Sequence, residues 1–298
     1  RTTSARLVRP SLNSSPPPQV GRKWYDSVSR LVGIAVGDGR HIFFDPFYWE
    51  IMAAAGIAVA ASGGYLKIVN LSSKGKADVR QIEDMSLNVL IWINPERTVL
   101  PIILELMQSG MPVISVGRRL GCDHLHYVGL DYKSIGRLVA DYFLSRGHTR
   151  VIFVAHNRSE WYELQLDGFK SAFAAKGLRH DNRLTLYGDK DIDAKWSGLI
   201  ERRISFTGVY ADGLFLQKVL QALEAVGMRI PEDCLVVGAE HAIRIIKEPN
   251  CVKVIKPTER IGRTAGEEMM RLVRGEGKGG RISKMYDAEI IDQKGNTP

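Results

Sequence analysis

The chain has 298 residues, 45% hydrophobic and 25% charged, with 41 Lys+Arg against 33 Asp+Glu and a formal net charge of +8. That length suits one large or two medium domains, each with its own core. No apolar run nears the roughly 20 residues that a membrane-spanning helix needs, and no apolar leader segment opens the sequence, so a cytoplasmic chain without membrane contact is expected.

Residues 1–30 carry six Lys/Arg and one Asp, and the rest is nearly balanced. This stretch is rich in Pro and Ser without apolar periodicity and reads as a linker or tail. From Leu31 short apolar runs alternate with helical stretches. "LVGIAV" predicts a buried strand, and "FFDPFYWEIM" follows it, crowding aromatics around an Asp-Pro pair. Pro46 suits a first helical turn capped by Asp45, and the helix runs to the glycines after "AVAAS". "GYLKIVNL", "LNVLIWI", "MPVISVG", "HYVGLD", "RVIFVAH", "TGVYA" and "CLVVGAE" predict further strands. Each is apolar enough to be buried on both faces. "VLPIILELMQSG", "SIGRLVADYFLSRG", "LQLDGFKSAFAAKG" and "FLQKVLQALEAVG" predict helices that end on glycine. A left-handed C-terminal cap accounts for that residue. The alternation implies a doubly wound α/β architecture with parallel sheets, and Gly147 marks a seam between two similar halves.

Such sheets bind ligands beyond the carboxyl ends of their strands. Phe47, Tyr48, Arg118, Asp131, the segment His156–Gln165 with Trp161, Asp212 and Glu240 all fall there. Carboxylates accept hydrogen bonds from vicinal hydroxyls while aromatic faces cover the C–H side of a sugar ring, so the set suits a small polyhydroxylated ligand. Plainer roles are open for each. Phe47 and Tyr48 serve equally as core, Asp45, Asp131 and Asp212 as helix caps, and Trp161 and Trp196 as packing residues.

"DPFYWEIMAAAG", "GMPVISVGRR", "YVGLDYKSIGRLVADYFLSRGHTRVIFV", "LQLDGFKSAFAAKGL" and "LEAVGMRIPEDCLVVGAE" together resemble the lactose-repressor/galactose-repressor family of bacterial transcription regulators, from Leu31 to about Ile291. The resemblance implies two Rossmann-like lobes of the type I periplasmic-binding-protein kind, with a ligand between them. It divides the chain into a tail (1–30), one lobe from 31–146 with about 257–282, and a second from 147–256 with about 283–298. It also implies a homodimer, and operator DNA bound through an amino-terminal reader that these residues do not contain. Phe47 and Tyr48 match the family's aromatic pair, and Asp131 and Asp212 match its acidic positions. Asp45 stands for the usual Asn, Ala211 for another Asn, Glu240 for an Asp, and Gln165 for an Arg. Losing that Arg removes a five-donor fork. With four carboxylates implied around one cleft, the expected effector is a neutral sugar or polyol, and a cationic amino sugar is the runner-up. An anion would be repelled unless Arg118 or Arg158 turned inward. No cofactor is implied.

Other constellations are weaker. Cys122, His124 and His126 alternate and offer zinc-type ligands, but no fourth partner is evident. The three cysteines show no disulfide pattern. "GEGKGGR" lacks the order of a phosphate loop, and no nucleophile elbow or H-E-x-x-H motif occurs. A ligand-sensing regulator domain is therefore the leading expectation, a periplasmic solute-binding protein for sugar uptake the alternative, and an enzyme the third.

Overall fold

The computed structural model describes residues 30–36, 46–70, 79–188, 192–211, 215–239, 250–276 and 280–292. The chain divides into two compact units. One is the part up to Gly129 together with Glu259–Lys284; the other is Leu130–Thr258 together with the part from Met285.

The first unit takes β1 (Leu31–Val36), α1 (Pro46–Ala61), β2 (Tyr65–Asn70), α2 (Val79–Glu83), β3 (Val89–Ile93), α3 (Leu100–Gln108), β4 (Val113–Gly117) and β5 (His126–Leu130). The later α8 (Thr258–Val273) and β11 (Ser283–Tyr286) complete it. Its sheet has the order β11-β5-β4-β3-β1-β2. Strands β3 and β4 are buried at every residue, which is why they read as unbroken apolar runs.

The second unit takes α4 (Tyr132–Ser145), β6 (Val151–Ala155), α5 (Glu160–Ala175), β7 (Thr185–Tyr187), α6 (Ile192–Glu201), β8 (Gly208–Ala211), α7 (Phe215–Ala225), β9 (Leu235–Ala239), β10 (Val252–Ile255) and β12 (Glu289–Ile291). The sheet order is β12-β10-β9-β8-β6-β7. Strands β7, β6, β8, β9 and β10 pair in parallel, and β12 joins β10 antiparallel. The expected doubly wound α/β class is what the protein has. Each sheet reverses its winding beside its first strand, at β1/β3 and at β6/β8, and the ligand crevice of this architecture lies at that reversal.

The seam expected at Gly147 lies instead ahead of α4. Helices α4 and α5 pack closely against each other. Glycines make this approach possible: a Cβ at Gly136 would overlap the carbonyl oxygen of Gln165, and one at Gly168 the carbonyl of Lys133. Gly147, at φ +80, terminates α4 rather than dividing the units. In the first unit Gly262 and Gly266 of α8 likewise allow contact with the backbone of α1 at Ile51 and Ala55.

Candidate functional site

In the first unit, the winding reversal brings the start of α1 to the end of β3. Phe47 is nearly buried and meets Tyr48 edge to face, with centroids 5.8 Å apart. Asn94, the residue after β3, holds φ +46, a left-handed conformation uncommon outside glycine but tolerated by Asn. Its amide N–H bonds the carbonyl of Val116 (2.8 Å), and its side-chain Nδ2 donates to the Tyr48 hydroxyl (3.4 Å). Gly117, at φ +85 on the end of β4, leaves room for Asn94 Oδ1; any Cβ there would overlap that oxygen. Tyr127 donates to the Gly117 carbonyl (3.2 Å), and the Ser115 hydroxyl to the carbonyl of half-buried Arg118 (2.5 Å). Phe47, Tyr48, Asn94, Gly117 and Arg118 thus share one end of one sheet. Asp45 lies outside the described residues.

In the second unit, Asp131 is the N-cap of α4, its Oδ1 accepting the amide of Ser134 (3.0 Å). The resemblance assigned it to the amino-terminal lobe; it falls in the unit that begins at Leu130. At the β6/β8 reversal, His156 lies against Phe215 of α7, centroids 5.3 Å apart. Trp161, on the first turn of α5, stays half-exposed beside Tyr162. Trp196, by contrast, packs on Phe206 and is a core residue. Ser159 precedes α5, yet its enclosed hydroxyl has no hydrogen-bond partner among the described residues. A polar group left over at a strand end is an available contact for a bound molecule. Asp212 and Glu240 lie outside the described residues.

Gln165 is fully enclosed: its Oε1 accepts the hydroxyl of equally buried Tyr210 (2.8 Å), and its Nε2 has no partner among the described residues. An Arg is longer than Gln and carries a charge that resists burial, so the shorter amide is free to turn inward.

The structure also brings together residues that the sequence does not single out as a set. Tyr187, at the end of β7, donates to Glu163 Oε1 (2.8 Å), and the Arg158 guanidinium sits over the Tyr187 ring at 4.0 Å. Burial, aided by the Glu163 bond, pushes the Tyr187 phenol up to about 12, so it remains a donor. Asn94 could have been suspected from "INP" directly after an apolar strand; the Tyr187 pairing has no local signal. Cys122, His124 and His126 do not converge. Cys122 joins the core, and His126 Nδ1 accepts the amide of Ile282 (3.0 Å), burial first and Arg281 second lowering its pKa. No set of three His, Cys, Asp or Glu suited to a metal occurs among the described residues. Nor is any described helix long and apolar enough to cross a membrane.

The description "periplasmic binding proteins and sugar binding domain of LacI family" matches residues 43–201, and "periplasmic binding protein-like domain" matches residues 140–287. The HTH-type transcriptional regulator CelR of Thermobifida fusca is 29% identical over 259 residues, covering 80% of this chain and 73% of the relative. The HTH-type transcriptional regulator GntR of Escherichia coli K12 is 23% identical over 263 residues, covering 84% and 78%. A solved transcriptional regulator CelR–cellobiose complex is similar with a TM-score of 0.76 at 25% identity, covering 89% of this chain and 84% of that one. With the sheet order, the strand-end residues and these matches in agreement, the chain belongs to the family of periplasmic binding proteins and LacI-type sugar-binding domains, and is an effector-binding domain of that family.

Proposed function

We propose that this domain senses a neutral sugar or polyol in the cytoplasm, as the dimer-forming half of a transcription regulator whose operator DNA is held by a separate reader domain. The observation that carries the reading is the same in both units: each sheet presents aromatic and hydrogen-bonding side chains at its winding reversal, Phe47, Tyr48 and Asn94 in one, His156, Trp161 and Phe215 in the other. Relatives named as regulators favour sensing over uptake or catalysis, and the relative solved with cellobiose supports a sugar ligand. Asp45, Asp131, Asp212 and Glu240 would supply carboxylate acceptors, and Arg118 a donor. A ligand that engages both units favours the closed arrangement and shifts the population by its differential affinity for that state.

A thermal-shift panel of neutral sugars including cellobiose, sugar acids and sugar phosphates tests this. A neutral sugar at a hundredfold excess over its dissociation constant should stabilise the protein by about 2.7 kcal/mol. Asp212→Ala should abolish that effect, and X-ray scattering of the same complex should show a smaller radius of gyration. Stabilisation by anions alone, or a sugar effect that survives in Asp212→Ala, would count against the reading. An unchanged radius would reject closure.

Dimerisation is supported by two apolar surfaces. Apart from Glu50, helix α1 is apolar on every side: Ile51, Ala55, Ala58 and Val59 are buried, whereas Trp49, Ala53, Ile57 and Ala60 face outward. Ile57 is 72% exposed, and Tyr65 and Ile68 of edge strand β2 are 70% and 55% exposed. A helix apolar on both sides is ordinarily covered on both, and an exposed apolar patch of this kind marks an interaction surface. In the second unit α7 turns Leu216, Val219 and Leu223 to the core. Between α6 and α7 lies a groove of about 390 Å³ lined by Trp196, Ile200, Ala222 and Val226 among others. Sedimentation equilibrium at tens of micromolar should give twice the chain mass, and Ile57→Asp should give monomer with little change in folding stability. Wild-type monomer at that concentration would reject the dimer.

A further inference from the structure

We propose that Glu163 and Tyr187 restrain the charge of Arg158, and that this three-residue unit sets the preference of the strand-end site for neutral over anionic ligands. The inference rests on the proposed sugar-sensing reading and adds the residues that enforce it. Arg158 lies in the loop after β6, three residues before Trp161, and its side chain is 71% exposed. A guanidinium free at this position would attract carboxylates and phosphates through paired N–H bonds.

Two contacts engage it instead, and a third fixes their geometry. One face of the guanidinium covers the Tyr187 ring at 4.0 Å. Its Nη1 lies 3.9 Å from Glu163 Oε1, and the Tyr187 hydroxyl donates to that same oxygen at 2.8 Å. Tyr187 is almost fully buried at the end of a sheet strand, so it supplies a fixed post that orients the carboxylate toward the cation. The Arg158–Glu163 pair is too exposed to add much to folding stability, since such pairs contribute little in water. Its larger consequence is local: a carboxylate beside the guanidinium opposes the approach of a second anion. Glu160 opens α5 two residues on, and Lys195 of α6 brings its Nζ to 3.5 Å from the Tyr187 carbonyl.

Glu163→Gln preserves size and an acceptor for Tyr187 while removing the negative charge. Calorimetric titration with gluconate and with inorganic phosphate compares wild type, Glu163→Gln and the double variant Glu163→Gln/Arg158→Gln. Glu163→Gln should bind at least one anion threefold or more tightly than wild type at low ionic strength. The gain should vanish in the double variant and shrink at high salt, where screening acts within a few ångströms. Equal anion affinity in wild type and Glu163→Gln, including no binding by either, overturns the proposal, as does a gain that persists without Arg158. The neutral-sugar panel on wild type separates the two levels. A wild type that answers to neutral sugars while Glu163→Gln gains no anion affinity rejects only the restraint on Arg158; a wild type that answers to none rejects the ligand reading and this inference with it.

Discussion

Gly136→Val should destabilise the unit containing Leu130–Thr258 by roughly 3 kcal/mol, the upper range for overpacking a close contact. The reason is backbone against backbone. A Cβ at Gly136 would overlap the carbonyl of Gln165, and the reciprocal glycine, Gly168, faces the carbonyl of Lys133. Neither obstacle is a flexible side-chain end, so relief requires α4 and α5 to separate. That separation would disturb Gln165, its bond to Tyr210 and the first turn of α5, where Trp161 lies. Gly198, in the middle of α6, is the control: nothing lies within 4 Å of its Cβ position. Gly198→Ala should be neutral or stabilising by up to about 1 kcal/mol, the helix-propensity gain. Calorimetry resolves the effect, and hydrogen exchange assigns it to one unit. A Gly136→Val protein that melts with wild type would show that the helices do not depend on this approach.

Acidification from pH 6.5 toward pH 4 should remove about 3 kcal/mol through His180 alone, each pKa unit being worth 1.36 kcal/mol. His180 is 5% exposed, wedged edge-on against Phe169 and Phe173, with Nε2 3.0 Å from Thr185 Oγ1. Burial, then the nearby charge of Lys170, lowers its pKa from 6.5 to about 4. The folded state therefore resists a proton that the unfolded chain accepts from pH 6.5 downward. The contribution is fully present above pH 6.5 and is lost as pH falls through about 4. Urea midpoints measured across this window should slope steeply in wild type and less in His180→Gln. Some slope will remain, because burial also lowers His126 and His148. An identical slope in the variant would place the proton uptake elsewhere.

The residues that the sequence makes legible are those whose environment is uniform along a short stretch. Strands β1, β3, β4 and β6 are buried almost throughout, so contiguous apolar residues identify them without reference to any partner. Helices α4 and α5 carry a 3.6-residue apolar repeat closed by glycine, and both end where that glycine predicts. Strands β7 and β12 have three residues each, too few to display a period. Helix α8 mixes charge pairs with Gly262 and Gly266 inside its span, which weakens its helical reading although packing on α1 requires those glycines.

Local chemistry alone determined the doubly wound class, the placement of Phe47, Tyr48 and Asp131 at strand ends, and the capping role open to Asp131, because parallel α/β order and N-cap geometry depend on residues close in the chain. Tertiary structure decided the rest. It assigned α4 to the second unit, enclosed Gln165 beneath Tyr210, twisted Asn94 against Gly117, and set Arg158 and Glu163 around Tyr187. Those outcomes depend on which helix lies on which neighbour and which strand ends meet. Contacts between residues distant in the chain are governed by shape and backbone approach, and neither is encoded in the period of any single segment.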